Sequence, residues 1–588
     1  GYAPGFDRYG KKKPSLIKDA VALAKRAEVA LVYVGLDEVT EAEGLDRKDI
    51  SIPQPQLDLI DALVAAKVKT VVILSCGSAV ELPFADKVDA IVHAYLGGQA
   101  IADAVLDVVV GNVNPSGKLA DTYAVDFKAD PTWANFGDNR VTARTVEDEN
   151  GDKVHSPGGD EYVFDPNEVA SHDIPGVYYY FVDYEESIYY GYRYYETRGA
   201  GNEEWYNENV VYPFGYGLSY TDFTWTVDAD SVRNVTIDGE TKYQITVTVH
   251  NDGQVAGKDV VQLYGHAPYT TGEVEKSEVV LLDFAKTPVI EPNADAEVTL
   301  TFDPYYLASY DYEGLNDIEG TGYELDGGDG YALYVAENAH DRSREIPFSV
   351  ADSGISYEND PVTGNPVVNR YTDNEDAMFD SDNSPSFDKH LSRSDWEGTW
   401  PTTPTAEQKT VGYEMLDALT DTSHNNPTDF SEYAYPDSGL DNGMTLRDML
   451  YDPDGEKNDE GEPVDYIDPD EKGRPYVSLD DDRWSALLDQ CSIDELTHLV
   501  YNGAYKVEPI ESIGAPRVNC SDGPVGWACF MDKTRFYETC SYCCQTVIAT
   551  TWNKDLAYEF GQMVGDEGLV GAENYDQSPY SGWYAPGA

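Results

Sequence analysis

Positive charge is scarce in this sequence: 40 Lys and Arg stand against 108 Asp and Glu, a formal net charge of −68. A field of that sign repels phosphate backbones and anionic lipid headgroups, so nucleic acid is not expected as a partner, while a neutral solute feels little of it. Long apolar runs are missing as well. None approaches the roughly 20 residues that cross a bilayer, and no membrane span is expected. Cysteine is sparse, with seven in 588 residues. The count is odd, and Cys520, Cys529, Cys540, Cys543 and Cys544 crowd one stretch, unlike the even framework of a disulfide-stapled domain. No charged-then-apolar leader follows Gly1, so any targeting signal or anchor is expected outside this sequence. Localisation stays open, with an extracellular or cell-surface setting preferred over the cytoplasm, and no repeat of solenoid or propeller period is present.

What is present suffices for several packed interiors. Apolar residues make up 41% and aromatics 12%, and the length suggests about three to five domains. From Pro14 to Thr122 the pattern alternates between helical stretches (SLIKDAVALAKRA, QPQLDLIDALVAAK, QAIADAVLDVVV) and apolar runs (VALVYVG, TVVILS, DAIVHAY). This predicts βαβ units and a parallel sheet covered on both faces, with loops at the strand C-termini free to build a site. Residues 123–222 are rich in Tyr and Gly without a helical period and read as irregular strands and turns. From Phe223 to Val350, runs such as YQITVTVH, KDVVQLYG and AEVTLTF between NDG, EPN and GG turns predict a β-sandwich. Residues 351–480 read as an acidic linker with short helices. After Ser478 an amphipathic helix is expected over DDRWSALLDQCSIDELTHLVYNG, and another over NKDLAYEFGQMVGDEGLVG.

The strand ALVYVG runs into LDEVTEAEGLDR, which places Asp37, Glu38, Glu41, Glu43, Asp46 and Arg47 at the sheet edge where ligand chemistry concentrates. A carboxyl there can act as a general acid if a neighbouring domain desolvates it. The plainer alternative is a solvated acidic loop with an Asp46–Arg47 or Glu43–Arg47 ion pair. A lone CxxC without a second pair does not make a zinc site, so small buried cysteines are expected and no metal or cofactor. YDPDGEKNDEGEPVD lacks the ligand order of a calcium loop. His93 and His498 fall in core-like segments.

VGLDEVTEAEGLDRKDISIPQPQLDLI, VVILSCGSAVEL, IVHAYLGGQAIADAVLDVVVGNVNPSGKLADTY and YGYRYYE…YPFGYGLSYTDF together resemble the α/β-sandwich domain of family 3 glycoside hydrolases over residues 14–223. The sandwich that follows resembles the fibronectin type III-like domain many members attach there. The resemblance implies that Glu43, in the Glu-Gly-x-Asp-Arg segment, is the acid/base, with Glu41 its nearest rival. IGAPRVNCSDGPVG, TVIATTWNKDLAYEFGQMVGDEGLVG and SGWYAPGA resemble the opening of the family's TIM-like (β/α)8 barrel, which implies that Asp522 binds sugar hydroxyls. On residue type alone, Asp-Gly-Pro is an ordinary turn.

Domain order departs from the common pattern, because the barrel follows the β-sandwich instead of preceding the α/β domain. The Lys-His and Arg-His pairs and the nucleophilic aspartate late in the barrel have no counterpart after WYAPGA, so no nucleophile is expected in these residues and little turnover from them alone. Ser394-Asp395-Trp396 mimics the nucleophile motif, but Asp395 sits in a polar connector and reads as a structural loop. The expected architecture is therefore multidomain α/β plus all-β: an α/β domain over 1–222, a fibronectin type III-like sandwich over 223–350, a linker over 351–480 and an incomplete TIM-like barrel over 481–588. The resemblance implies a retaining glycosidase that removes a terminal sugar, β-D-glucose first, from an oligo- or aryl-glycoside. Oligomeric state is left open. The alternative is a non-catalytic carbohydrate-binding or cell-surface protein built from the same domains.

Overall fold

The computed structural model describes residues 1–8, 11–37, 40–42, 47, 49–134, 144–147, 153–156, 184–227, 232–237, 240–311, 315, 322–361, 363–367, 390–403, 440–450, 476–479, 481–502, 506–521, 525–526, 540–570 and 581–583. They fall into two units: residues 1–424 with 546–554, and residues 425–545 with 555–588.

In the first unit the βαβ alternation becomes α1 (Pro14–Ala24), β1 (Ala30–Gly35), α2 (Gln54–Ala65), β2 (Thr70–Ser75), β3 (Ala90–His93) and α3 (Ile101–Val109). The strands form a parallel sheet in the order β1-β2-β3, with Val32 opposite Val72 and Leu74 opposite both Val34 and His93. Val32, Val34, Val72 and Leu74 bury one face against Leu59, Ile60 and Leu63 of α2. The other face is not fully covered as the sequence suggested. Ile73 of the central strand is buried, but on edge strand β1 Leu31 is 39% and Tyr33 60% exposed. An apolar run therefore fixes a strand without fixing how many of its faces are covered.

The Tyr-rich region holds helices rather than only strands and turns. It contains α4 (Gly191–Gly199) and α5 (Glu203–Asn209), after the short strand β4 (Tyr123–Ala124). Tyr194, Tyr195, Glu196 and Thr197 are consecutive and all buried. A helix buried on most sides carries no amphipathic stripe, so its period does not show.

The sandwich forms from two antiparallel four-stranded sheets. In one, Phe223–Val227, Arg233–Ile237 and Asp295–Phe302 pair with the long strand Glu240–Asn251, with Ile245 opposite Leu300 and Val247 opposite Val298. In the other, the order is Val280–Lys286, Val260–His266, Gly328–Ala336, Glu345–Val350. Ile245, Val247, Val249, Leu300 and Phe302 meet Val261, Leu263, Leu333 and Val335 in the core between them. Ile355–Tyr357, inside the stretch read as linker, pairs with Gly322–Leu325 in a small third sheet.

The α/β layer is joined to the sandwich by buried polar groups. The Glu196 carboxylate accepts from Tyr206 Oη at 2.6 Å, His340 Nδ1 at 2.9 Å and Arg342 Nη2 at 3.4 Å. The His340 ring stacks on Tyr206 at 3.7 Å, and its Nε2 lies 3.2 Å from Glu203. Segment 390–403 docks here too: Leu391 N–H donates to Glu185 O at 2.7 Å, Arg393 pairs with Glu278 at 3.1 Å, and Trp396 packs edge-on to Tyr189.

In the second unit the single expected helix is two, Arg483–Leu488 and Ile493–Tyr501. The break is a capping box. Ser492 Oγ accepts from Glu495 N–H while the Glu495 carboxylate accepts from Ser492 N–H, which holds that carboxyl down to about 2. Met449, Val477, Leu487, Cys491, Ile510 and Ile513 make the core. Val518–Ser521 pairs antiparallel with Lys506–Val507 and parallel with Ser581–Trp583.

Two predictions follow from these contacts. Leu74→Ala should remove about 2–5 kcal/mol from the α/β domain, read as a lower denaturant midpoint. Burial alone would lower the pKa of His340, but the hydrogen bonds and charges of Glu196 and then Glu203 raise it above 6.5. Its bridging contribution is therefore complete below pH 6.5 and lost as pH rises through the folded value. The stability gap between wild type and His340→Phe should narrow by about 1 kcal/mol from pH 6 to pH 9, and a constant gap would refute the assignment.

Candidate active site

β1 and β2 run very close at their C-terminal ends. A side chain at Gly35 would place its Cβ 1.9 Å from Ser75 O, so only glycine fits. Buried Gln56 of α2 seals this end of the strand: its amide accepts from Gly35 N–H and donates to Gly35 O, both at 2.8 Å. The acidic loop leaves from here. Asp37 Oδ1 accepts from Thr40 N–H at 3.0 Å and Thr40 Oγ1 at 2.9 Å, which sets the first turn.

The loop is then tied to the one that follows β2. Both Glu41 carboxylate oxygens lie within 3.1 Å of Gly77 N–H. On the far side, Arg47 Nη2 donates to Ser78 Oγ at 2.8 Å and Ala79 O at 3.4 Å. Helix Gln545–Thr550 reaches the same place, where Thr546 Oγ1 donates to Gly77 O at 3.0 Å. Glu43, together with Glu38 and Asp46, lies outside the described residues; so does Asp522, which follows Ser521 in sequence. Glu41, the rival candidate, is engaged with the backbone of the neighbouring loop, and Arg47 reaches a serine hydroxyl and a carbonyl. Gly77, Ser78 and Thr546 were not singled out from sequence. The only signal was a Gly-Ser pair just past an apolar strand, the position where a second loop opens onto the same edge.

Behind these loops lies a polar cluster. Cys76 Sγ is 3.9 Å from His93 Nε2, which is 2.5 Å from Tyr123 Oη, and Tyr95 stacks on the imidazole at 3.5 Å. Tyr95 N–H donates to His93 Nδ1 at 3.3 Å. Burial lowers the His93 pKa to about 3 and raises those of Tyr123 and Asp121. His93 is thus a neutral core group, whereas His498 is exposed on its helix.

Asp395 is exposed in a turn of the docked segment, where its carboxylate accepts from Gly398 N–H at 3.0 Å and its carbonyl from Thr399 Oγ1 at 2.7 Å. Cys540, Cys543 and Cys544 are free thiols; Cys529 lies outside the described residues, as does the side chain of Cys520. Among the described residues no three His, Cys, Asp or Glu side chains gather as metal ligands, and no helix is long and apolar enough to cross a membrane.

His93 supplies a pH prediction with the opposite sign to His340. Its folded pKa lies below the unfolded value, so its contribution is complete above pH 6.5 and drains away as pH falls toward 3, by up to ~1.4 kcal/mol per pH unit. Acid titration of unfolding midpoints should show this slope in wild type and a shallower one in His93→Gln.

Residues 7–220 match the glycosyl hydrolase family 3 C-terminal domain, and residues 259–336 the fibronectin type III-like domain. Thermostable β-glucosidase B of Acetivibrio thermocellus is 35% identical over 298 residues, 50% of this chain and 32% of that protein. An exo-α-(1→6)-L-arabinopyranosidase of Bifidobacterium longum is 34% identical over 265 residues, 45% of this chain and 28% of that protein. A solved family 3 β-glucosidase of Bifidobacterium adolescentis aligns with TM-score 0.45 at 29% identity, over 60% of this chain and 43% of that one. The chain spans about a third of the length of these curated relatives. The chain is thus similar to the glycosyl hydrolase family 3 C-terminal domain over the residues that form the parallel sheet and the candidate loop at its edge, and to a fibronectin type III-like domain within the sandwich.

Proposed function

We propose that these domains belong to a retaining glycosidase that removes a terminal sugar, with β-glucosides the first substrates to test. One observation carries the reading: within the residues that match the family 3 C-terminal domain, the chain is tied to the β2 loop on both sides of Glu43, by Glu41 to Gly77 and by Arg47 to Ser78. A loop anchored on both sides at the C-terminal edge of a parallel sheet can present a carboxyl to a substrate.

In this reading Glu43 protonates the departing glycosidic oxygen and then deprotonates the water that releases the sugar. Asp522 accepts hydrogen bonds from sugar hydroxyls after the strand Val518–Ser521. That strand's parallel pairing with Ser581–Trp583, across intervening helices, supports a barrel-type βαβ unit. No residue of this chain is proposed as nucleophile, and the Asp395 carboxylate, which accepts from Gly398 N–H within its own turn, supports a structural part for that residue. The sugar is left open between glucose and pentoses, because the curated relatives include both a β-glucosidase and an arabinopyranosidase.

Leaving-group chemistry tests Glu43. In the full-length protein, Glu43→Ala should lower kcat/KM for alkyl and oligosaccharide glycosides by roughly 10²–10⁴-fold while sparing formation of the glycosyl-enzyme from activated aryl glycosides. Added azide should restore turnover by attacking that intermediate. Equal losses on good and poor leaving groups without azide rescue would remove Glu43 from the role, and absence of glycoside hydrolysis by wild type would remove the reading itself.

A further inference from the structure

We propose that Thr546–Lys554 is a strap that sets the candidate acid/base loop, and that Thr546 is a positioning residue for it. The inference rests on the reading of that loop given above.

Although it lies more than 300 residues beyond the α/β layer in sequence, this segment packs within the first unit, while the chain on either side of it belongs to the second. Three contacts seat it at the joint between the α/β layer and the sandwich. Lys118 N–H donates to Thr550 O at 2.9 Å. Lys286, on sandwich strand Val280–Lys286, donates to Ser116 O of the α/β layer at 2.5 Å and to Thr551 O at 2.9 Å, so one ammonium ties three segments together. Burial lowers its pKa to about 8, with the charges of Lys118 and Lys258 adding to the effect. Trp552 enters beside Phe214 and Phe284, with centroids 5.3 and 5.0 Å away, and its indole N–H donates to Lys118 O at 3.1 Å.

The backbone at Trp552 is unusual. Its φ is +49°, in the left-handed region where a helix terminator is commonly glycine. A large aromatic residue persists there because its side chain is held by two phenylalanine rings and through its N–H. This is the geometry of a segment fixed by where its indole must go.

From that anchor, helix Gln545–Thr550 carries Thr546 to the β2 loop, where its hydroxyl donates to Gly77 O. The Glu41 carboxylate accepts from the N–H of the same glycine. Gly77 is thus held from two sides, by the strap through its carbonyl and by the acidic loop through its amide. A Cβ on Gly77 would lie 3.1 Å from Glu41 Oε1, a tight contact that the carboxylate would relieve only by shifting off the glycine amide. The route from strap to loop is therefore two hydrogen bonds long and ends two residues from Glu43.

Thr546→Val removes the hydroxyl and keeps the shape; Thr546→Ser keeps the hydroxyl. In the full-length protein, Thr546→Val should speed amide hydrogen exchange at residues 40–42 and 77–79 roughly 2- to 10-fold with the sandwich strands unchanged. It should also lower kcat on poor-leaving-group glycosides by a similar factor while leaving activated aryl glycosides within about twofold; Thr546→Ser should restore both. Unchanged exchange in those loops overturns the strap's role. Faster exchange with an unchanged leaving-group profile overturns the positioning role. If wild type hydrolyses no glycoside, the functional reading falls, and the exchange arm still decides whether the strap orders the loop.

Discussion

The approach of β1 to β2 at their C-terminal ends is the constraint on which the candidate site depends. With no side chain at Gly35, Ser75 O comes close enough that the loops leaving the two strands start side by side. Loops that start together can be cross-tied by single side chains, which is what Glu41 and Arg47 accomplish by reaching Gly77 and Ser78. The buried amide of Gln56 satisfies both backbone groups of Gly35, so the close approach leaves no polar group stranded at the sheet end.

A second theme is how a chain with so large an acidic excess buries carboxylates. Glu196 is enclosed at the joint of the α/β layer and the sandwich, and it is compensated by a tyrosine hydroxyl, a histidine and an arginine. An isolated buried carboxylate would be costly, and one with several donors serves as a specific joint instead. Tyrosine suits that interface because each ring fills space while its hydroxyl finds a partner, as Tyr189 does with Glu275 and Tyr195 with Asp130. The docked segment 390–403 extends the same chemistry, with Trp396 and Trp400 packed against the tyrosines of α4.

The histidines show the same residue type tuned in opposite directions by its surroundings. His93 faces a tyrosine hydroxyl and a thiol, pairs with no carboxylate among the described residues, and is kept neutral by burial. His340 faces Glu196 and Glu203, and their charges outweigh its desolvation. Burial alone therefore does not decide the protonation of a histidine in this fold; the charge of the facing group does.

Local pattern in the sequence determined the helices and strands of the α/β layer, because apolar runs and 3.6-residue stripes are written in neighbouring residues. It also determined the sandwich strands, whose alternation follows from one face packing inward. Tertiary structure decided the rest. Helix α4 of the tyrosine region was hidden because a helix buried on most sides has no polar face. The split after Cys491 came from a reciprocal cap, Ser492 with Glu495, that competes with helix continuation through geometry rather than hydrophobicity. The partners of Glu41, Arg47 and Thr546 could not be read because each lies in a segment remote in sequence. Only folding brings Gly77, the acidic loop and the strap to one point, and contacts between distant segments leave no periodic trace in the residues that make them.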